Sequence, residues 1–186
     1  MFKRLVIINH PRNINIKRIK KLKAEIILRE NNQTTFNKQT IKLLKKNRIN
    51  FFVYNDATKL FKYNSNHLYL SSYNYKSYKH LHSIKKNISI LGGAHNVREI
   101  YQKIRQGCNA ILLSRIFKSD QKLGYLGIQR FNNCILHLKS NVDFYALGGI
   151  NQTNYNKLKL IQKLRGFCQM TAYENSIKQT KKRPLN

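Results

Sequence analysis

The sequence predicts an α/β protein built as a single compact (β/α)8 barrel with short helices. Three observations point there. Eight short apolar runs recur at regular spacing along 186 residues. Each is near-continuously apolar, as strands buried on both faces read. Between most of them lies a basic segment with helical period. Strands alternating with helices imply a parallel sheet, and eight strands imply closure. An open doubly wound sheet is the alternative. Barrels of this kind commonly run to about 250 residues, so this shorter chain demands brief helices, with one or two reduced to turns.

In chain order the runs are RLVIIN (4–9), EIILRE (25–30), NFFVYN (50–55) and HLYLSS (67–72), then SILGG (89–93), AILLS (110–114), FYALGG (144–149) and GFCQMT (166–171). In NKQTIKLLKKNR, Ile41, Leu43 and Leu44 form a stripe with lysines on the other faces. In NVREIYQKIRQG, Val97, Ile100, Tyr101 and Ile104 repeat at helical steps, with Asn96 as N-cap, Glu99 at the third helical position and Gly107 as the stop. NQTNYNKLKLIQKLRG repeats that design and ends on Gly166. The connectors 56–66 and 75–86 carry weaker helical patterns. Residues 1–175 are read as the barrel and 176–186 as a polar, basic tail.

Hydrophobic residues make up 41% of the chain, enough for a folded core. No apolar stretch approaches the roughly 18 residues of a membrane span. The apolar run near the N-terminus is too short for a signal peptide. Cys108, Cys134 and Cys168 are scattered and form no CxxC, so neither a disulfide framework nor a zinc site is indicated. A reducing, cytoplasmic setting is the expectation. Thirty-six Lys and Arg face seven Asp and Glu, a formal charge of +29. Such a surface attracts polyanions, nucleic acid included, through non-specific charge.

In a parallel barrel the working end lies at the C-terminal ends of the strands. The residues there include Arg29, Glu30, Asn31, Asn55, Asp56, His95, the stretch Ser114 to Lys122, the pair Gly148 and Gly149, and Thr171. Two Gly-Gly pairs stand at strand ends, in ILGGAHN and YALGGINQTN. Such a pair either turns the chain or lets bare backbone N–H groups approach an anion. This polar and cationic collection suits an anionic, phosphorylated ligand.

The same end-of-strand segments, IILRENN, FFVYNDATKLF, NHLYLSS, ILGGAHNVREIYQKIRQGCNAILLSRIFKSDQKLGYLGIQRF, YALGGINQTNYNKLK and RGFCQMTAY, resemble in order those of the thiamine phosphate synthase family and its sister thiazole tautomerases. The resemblance implies a triosephosphate-isomerase (TIM)-type barrel. It implies Mg²⁺-assisted coupling of an aminopyrimidine diphosphate to a thiazole phosphate, with pyrophosphate leaving. On that resemblance Arg29 faces the pyrophosphate, Asn55 helps bind it, and Asp56 is the metal ligand. Ser119 and Lys122 sit in the loop bridging the two phosphates, His95 lies beside the substrate, and Gly148, Gly149 and Thr171 hold the thiazole phosphate.

The pattern also departs from the family. Asn31 stands for its strand-two Lys, Ile27 for a Gln, Asn74 for a second metal-ligand Asp, Gly93 for a Ser and Arg115 for a Pro. Arg115 lies near the sister tautomerases' catalytic His and argues against their reaction. Asp56 equally suits a helix cap. Arg29, at the end of a buried strand, needs an anionic partner, and a ligand phosphate suits it better than neighbouring Glu30. Two alternatives stand beside the enzyme: a catalytically weak or inactive barrel that binds a phosphorylated ligand, and a basic nucleic-acid-associated protein using the cluster Tyr69, Tyr73, Tyr75 and Tyr78. The sequence does not indicate an oligomeric state.

Overall fold

The apolar runs form eight strands, and the basic segments between them return the chain on the outside. In this computed structural model, which describes residues 2–30, 34–119, 124–138, 141–170 and 173, the elements follow in order. They are β1 Lys3–Ile8, α1 Ile16–Leu22, β2 Ala24–Leu28, α2 Lys38–Lys46, β3 Phe51–Tyr54, α3 Ala57–Lys62, β4 His67–Leu70 and α4 Leu81–Ile84. There follow β5 Ser89–Ala94, α5 Val97–Arg105, β6 Ala110–Ser114, α6 Gly127–Leu136, β7 Asp143–Leu147 and β8 Leu164–Gln169. Every neighbouring pair is parallel, and β1 pairs with β8 to close the barrel. No helix among the described residues is long and apolar enough to cross a membrane. The 176–186 tail lies outside the described residues.

Strand alternation divides the buried side chains into two populations. Leu5, Ile7, Ile27, Phe52, Tyr69, Leu91, Leu112, Tyr145 and Cys168 fill the barrel interior. The other face of each strand packs against the helices, as Leu70, Ile90, Ile100, Leu113 and Phe131 do on one side and Ile26, Ile41, Leu44 and Val53 on the other. Both faces are buried, so alternation is invisible in hydropathy and the runs read as continuous.

The helices explain themselves less evenly. Asn96 caps α5 by accepting from the Glu99 N–H, and Glu99 in turn accepts from the Asn96 side-chain amide. The N-cap predicted from the sequence is therefore present. Its buried face differs from expectation. Val97 and Tyr101 are 39% and 46% exposed, while Ile100 and Lys103 are fully buried. In α2 the stripe is Ile41 and Leu44, with Leu43 exposed.

The segment after β7 is not an α-helix but a short 3-10 turn, Tyr155–Leu160. Gly166 is no helix stop. It sits inside β8 opposite Lys3, where a Cβ would run into the Lys3 carbonyl. The glycine is there so that the last strand can lie against the first.

Candidate functional site

A cavity of about 530 Å³ opens at the C-terminal ends of the strands. Its floor is apolar and aromatic: Ile7, Ile27, Leu112 and Cys168, with the stacked rings of Tyr54 and Tyr69 at 5.7 Å between centroids. Its rim is cationic. Arg29 reaches it from the end of β2, and Arg115 and Lys118 from the loop after β6. Among the described residues no Asp or Glu lines it. Low-dielectric walls under a one-signed rim concentrate the field on an entering anion.

Of the residues singled out in the sequence, the fold brings Arg29, His95, Ser119, Gly148 and Gly149 to this cavity. Lys122 and Thr171, like Asn31, lie outside the described residues. Arg29 is exposed, so water can solvate its guanidinium and the expectation that burial forces an anionic partner does not hold. Its place on the rim is what recommends it. Glu30 turns the other way, to the Lys59 ammonium. His95 is tied to the α5 cap: its Nδ1 lies 2.9 Å from Glu99 Oε2, which also accepts from the His95 backbone N–H.

Asn55 and Asp56 do not line the cavity, because local partners occupy them. Asn55 adopts a left-handed backbone (φ 53°). Its side chain accepts from the Ser71 N–H at 2.8 Å and donates to Ser71 Oγ at 2.9 Å, and the Asn74 amide donates to it at 3.3 Å. Asp56 is the N-cap of α3, accepting from the Thr58 N–H, the Thr58 hydroxyl and the Lys59 N–H. Burial works against its charge, but those hydrogen bonds outweigh it and hold the carboxyl below the usual range.

This bears on the expected Mg²⁺. Of the two carboxylates read beside it, Asp56 is committed to a cap. Glu30 accepts from the Phe36 N–H and holds Lys59, whose own pKa rises because the bond to Glu30 overcomes its burial. Among the described residues no cluster of three or more His, Cys, Asp or Glu could hold a metal. Asn74, at the other expected ligand position, engages Asn55 and Tyr78 through its amide and the Lys76 N–H through its oxygen. Among the described residues the donors expected to hold Mg²⁺ are thus engaged by neighbouring groups.

The glycine pairs have reasons of their own. At Gly149 (φ 66°) a Cβ would meet the Phe117 carbonyl oxygen at 2.7 Å and the Lys118 carbonyl oxygen closer still, and at Gly148 it would strike the Arg115 side chain. The pair lets the loops after β6 and β7 cross in contact, with bare backbone on the cavity wall. At Gly92 a Cβ would collide with the Lys103 stem and Cys108 Sγ, each at 2.8 Å. Lys103 passes through that gap, and its Nζ donates to the Ser71 and Asn74 carbonyls at 2.6 and 2.7 Å. Gln106 donates to the Asn74 and Lys76 carbonyls. A buried lysine and a buried glutamine thus pin the loop after β4, and with it Ser71, Ser72 and Tyr73 on the cavity wall.

Sequence reasoning did not select Tyr54, read Tyr69 only within a cluster that could stack on nucleic-acid bases, and covered Arg115 and Lys118 as part of the stretch Ser114 to Lys122, Arg115 also as a departure. The first two stand inside apolar runs and pass for core. Only the inward parity of β3 and β4 could have separated them.

No protein-family model matches the chain. Over 67 residues, 35% of this chain, it is 40% identical to a thiamine-phosphate synthase of Prochlorococcus marinus; the match spans 19% of that relative's own length. Among solved structures, a thiamine phosphate pyrophosphorylase from Pyrococcus furiosus superposes with a TM-score of 0.66 at 14% identity, covering 97% of this chain and 96% of that one. A native KDPGal structure follows at 0.58 and 12% identity, covering 89% of this chain and 81% of that one. At such identities these likenesses show the barrel and not the activity. The local sequence match and the shared barrel together support a divergent member of the thiamine-phosphate synthase family.

Proposed function

We propose that this chain is a transferase of thiamine biosynthesis, joining an aminopyrimidine diphosphate to a thiazole phosphate with release of pyrophosphate. The observation that supports this reading is the cavity itself. An aromatic, apolar floor suits a planar ring, and a rim bearing Arg29, Arg115 and Lys118 without a carboxylate among the described residues suits its phosphates. As the new bond forms at the pyrimidine's methylene carbon, the C–O bond to the diphosphate breaks and negative charge builds on the departing oxygens. Cations at the rim would stabilise that charge, and an Arg can do so through two parallel hydrogen bonds. The bare backbone of Gly148 and Gly149, beside Ser119, would hold the thiazole phosphate in line. Lys122 and Thr171 belong to the same proposal as further phosphate ligands.

The test is formation of thiamine phosphate by the purified protein from the two substrates. Arg29→Ala is expected to lower turnover about 10²–10³-fold, the usual effect of losing one donor to a developing anion. A folded protein that binds pyrophosphate yet forms no product would favour a second reading: a barrel of the same descent that binds its ligand without turnover. The engagement of Asp56 and Glu30 by neighbouring groups is what would favour it.

A further inference from the structure

The cavity floor holds a polar atom, the Tyr69 hydroxyl, that the fold leaves unused. The Tyr69 ring is 9% exposed, stacked on Tyr54 and aligned on β4 with the barrel-interior side chains. Its hydroxyl makes no hydrogen bond to any described residue. It projects beside Gly93 on β5, where a Cβ would lie 2.6 Å from the tyrosine oxygen and 3.4 Å from the ring carbon that carries it. Any side chain at position 93 would displace that oxygen, so the glycine and the hydroxyl are two halves of one device. Both residues line the cavity. The hydroxyl opens onto the cavity, where a ligand group or water can pair with it. Burial pushes the phenol's pKa up, with the nearby Arg29 acting weakly the other way, so the group stays a neutral donor and acceptor.

We propose that the Tyr69 hydroxyl, standing in the recess left by Gly93, is the specificity-determining contact of the floor, hydrogen-bonding the polar edge of the ligand's heteroaromatic ring. The inference rests on the proposed function and deepens it. The rim reads phosphate and is indifferent to what carries it. Tyr69 reads the ring. Exclusion of a ring without a polar edge follows, because it would leave the hydroxyl unpaired.

Calorimetric titration with inorganic pyrophosphate and with the aminopyrimidine diphosphate separates the two parts. Tyr69→Phe keeps the stacked ring and is expected to bind pyrophosphate like the parent while binding the aminopyrimidine diphosphate about tenfold more weakly, the scale of one neutral hydrogen bond. Gly93→Ser alone is expected to weaken that ligand at least as much, by displacing the tyrosine oxygen. The double change Tyr69→Phe with Gly93→Ser moves a hydroxyl to the other side of the recess and is expected to recover binding to within about threefold of the parent, a coupling that independent sites would lack. A Tyr69→Phe protein that discriminates between the two probes as the parent does overturns this inference and leaves the functional reading standing. A parent that binds the aminopyrimidine diphosphate no more tightly than pyrophosphate removes both.

Discussion

Replacing Lys103 by methionine tests whether the loop after β4 is held by charge or by shape. The side chain is fully buried. Methionine reproduces the apolar stem that passes Gly92 and deletes the ammonium. Two effects oppose each other. Hydrogen bonds from a charged donor contribute about 1.5–3 kcal/mol each, and Lys103 makes two, to the Ser71 and Asn74 carbonyls. Against them stands the cost of desolvating a cation, which also lowers its pKa, partly offset by Cys108 and Glu99. The Asn74 carbonyl keeps the Gln106 amide at 2.8 Å after the change. The Ser71 carbonyl likewise keeps the Asn74 N–H at 3.0 Å, so neither acceptor is orphaned and the loss is the two charged bonds less the desolvation, a net of about 1–3 kcal/mol. Lys103→Met is therefore expected to lower the unfolding free energy by that amount, read as a lower urea midpoint at unchanged slope and followed by far-ultraviolet circular dichroism since the chain has no Trp. A variant as stable as the parent, or more so, would refute the reasoning and show that desolvation outweighs the hydrogen bonds. The pH dependence gives a second readout. Lys103 has its folded pKa below the ordinary 10.5. Between those two values the unfolded chain binds more protons, so stability rises with pH through that window. The parent should gain on Lys103→Met as pH climbs toward 10.5 and stop gaining above it.

Two further outcomes are expected. Gly149 and Gly124 both have positive φ, 66° and 79°, but a Cβ at Gly124 meets nothing within 4 Å. Both changes to Ala cost the left-handed backbone strain of about 1–2 kcal/mol. Gly149→Ala should cost about 1–3 kcal/mol more through its collision with the Phe117 and Lys118 carbonyls, and equal midpoint shifts would remove the collision from the account. The second concerns metal: pyrophosphate should raise the Tm equally with Mg²⁺ and with excess EDTA, because the cations at the rim belong to the chain. Loss of the shift in EDTA would restore a metal to the site.

The eight strands were legible because each is buried on both faces and so interrupts a very basic sequence with a clean apolar run. The α5 face was not, since counting apolar residues misses a lysine whose stem lies in the core and whose head finds two carbonyls from a distant loop. Gly166 looked like a helix stop for a similar reason: the contact that requires it, with the Lys3 carbonyl, comes from the other end of the chain. At the site, position along the strands picked out Arg29, His95, Ser119 and the Gly148–Gly149 pair, all of which line the cavity. It could not show that Asn55 and Asp56 turn to Ser71, Thr58 and Lys59, nor that Tyr69 is a polar group inside an apolar run.

The seam where Lys3 meets Gly166 sets the order in which this chain can be made. The first strand leaves the ribosome long before its partner, the eighth, exists. Throughout synthesis the nascent sheet therefore carries two open edges, the exposure that invites strands of neighbouring chains to join. A +29 chain has its own protection against that hazard, because every unfinished copy repels every other. The depletion of acids thus bears on the chain before its cavity exists, since like charge keeps half-built barrels apart until the last strand closes the ring.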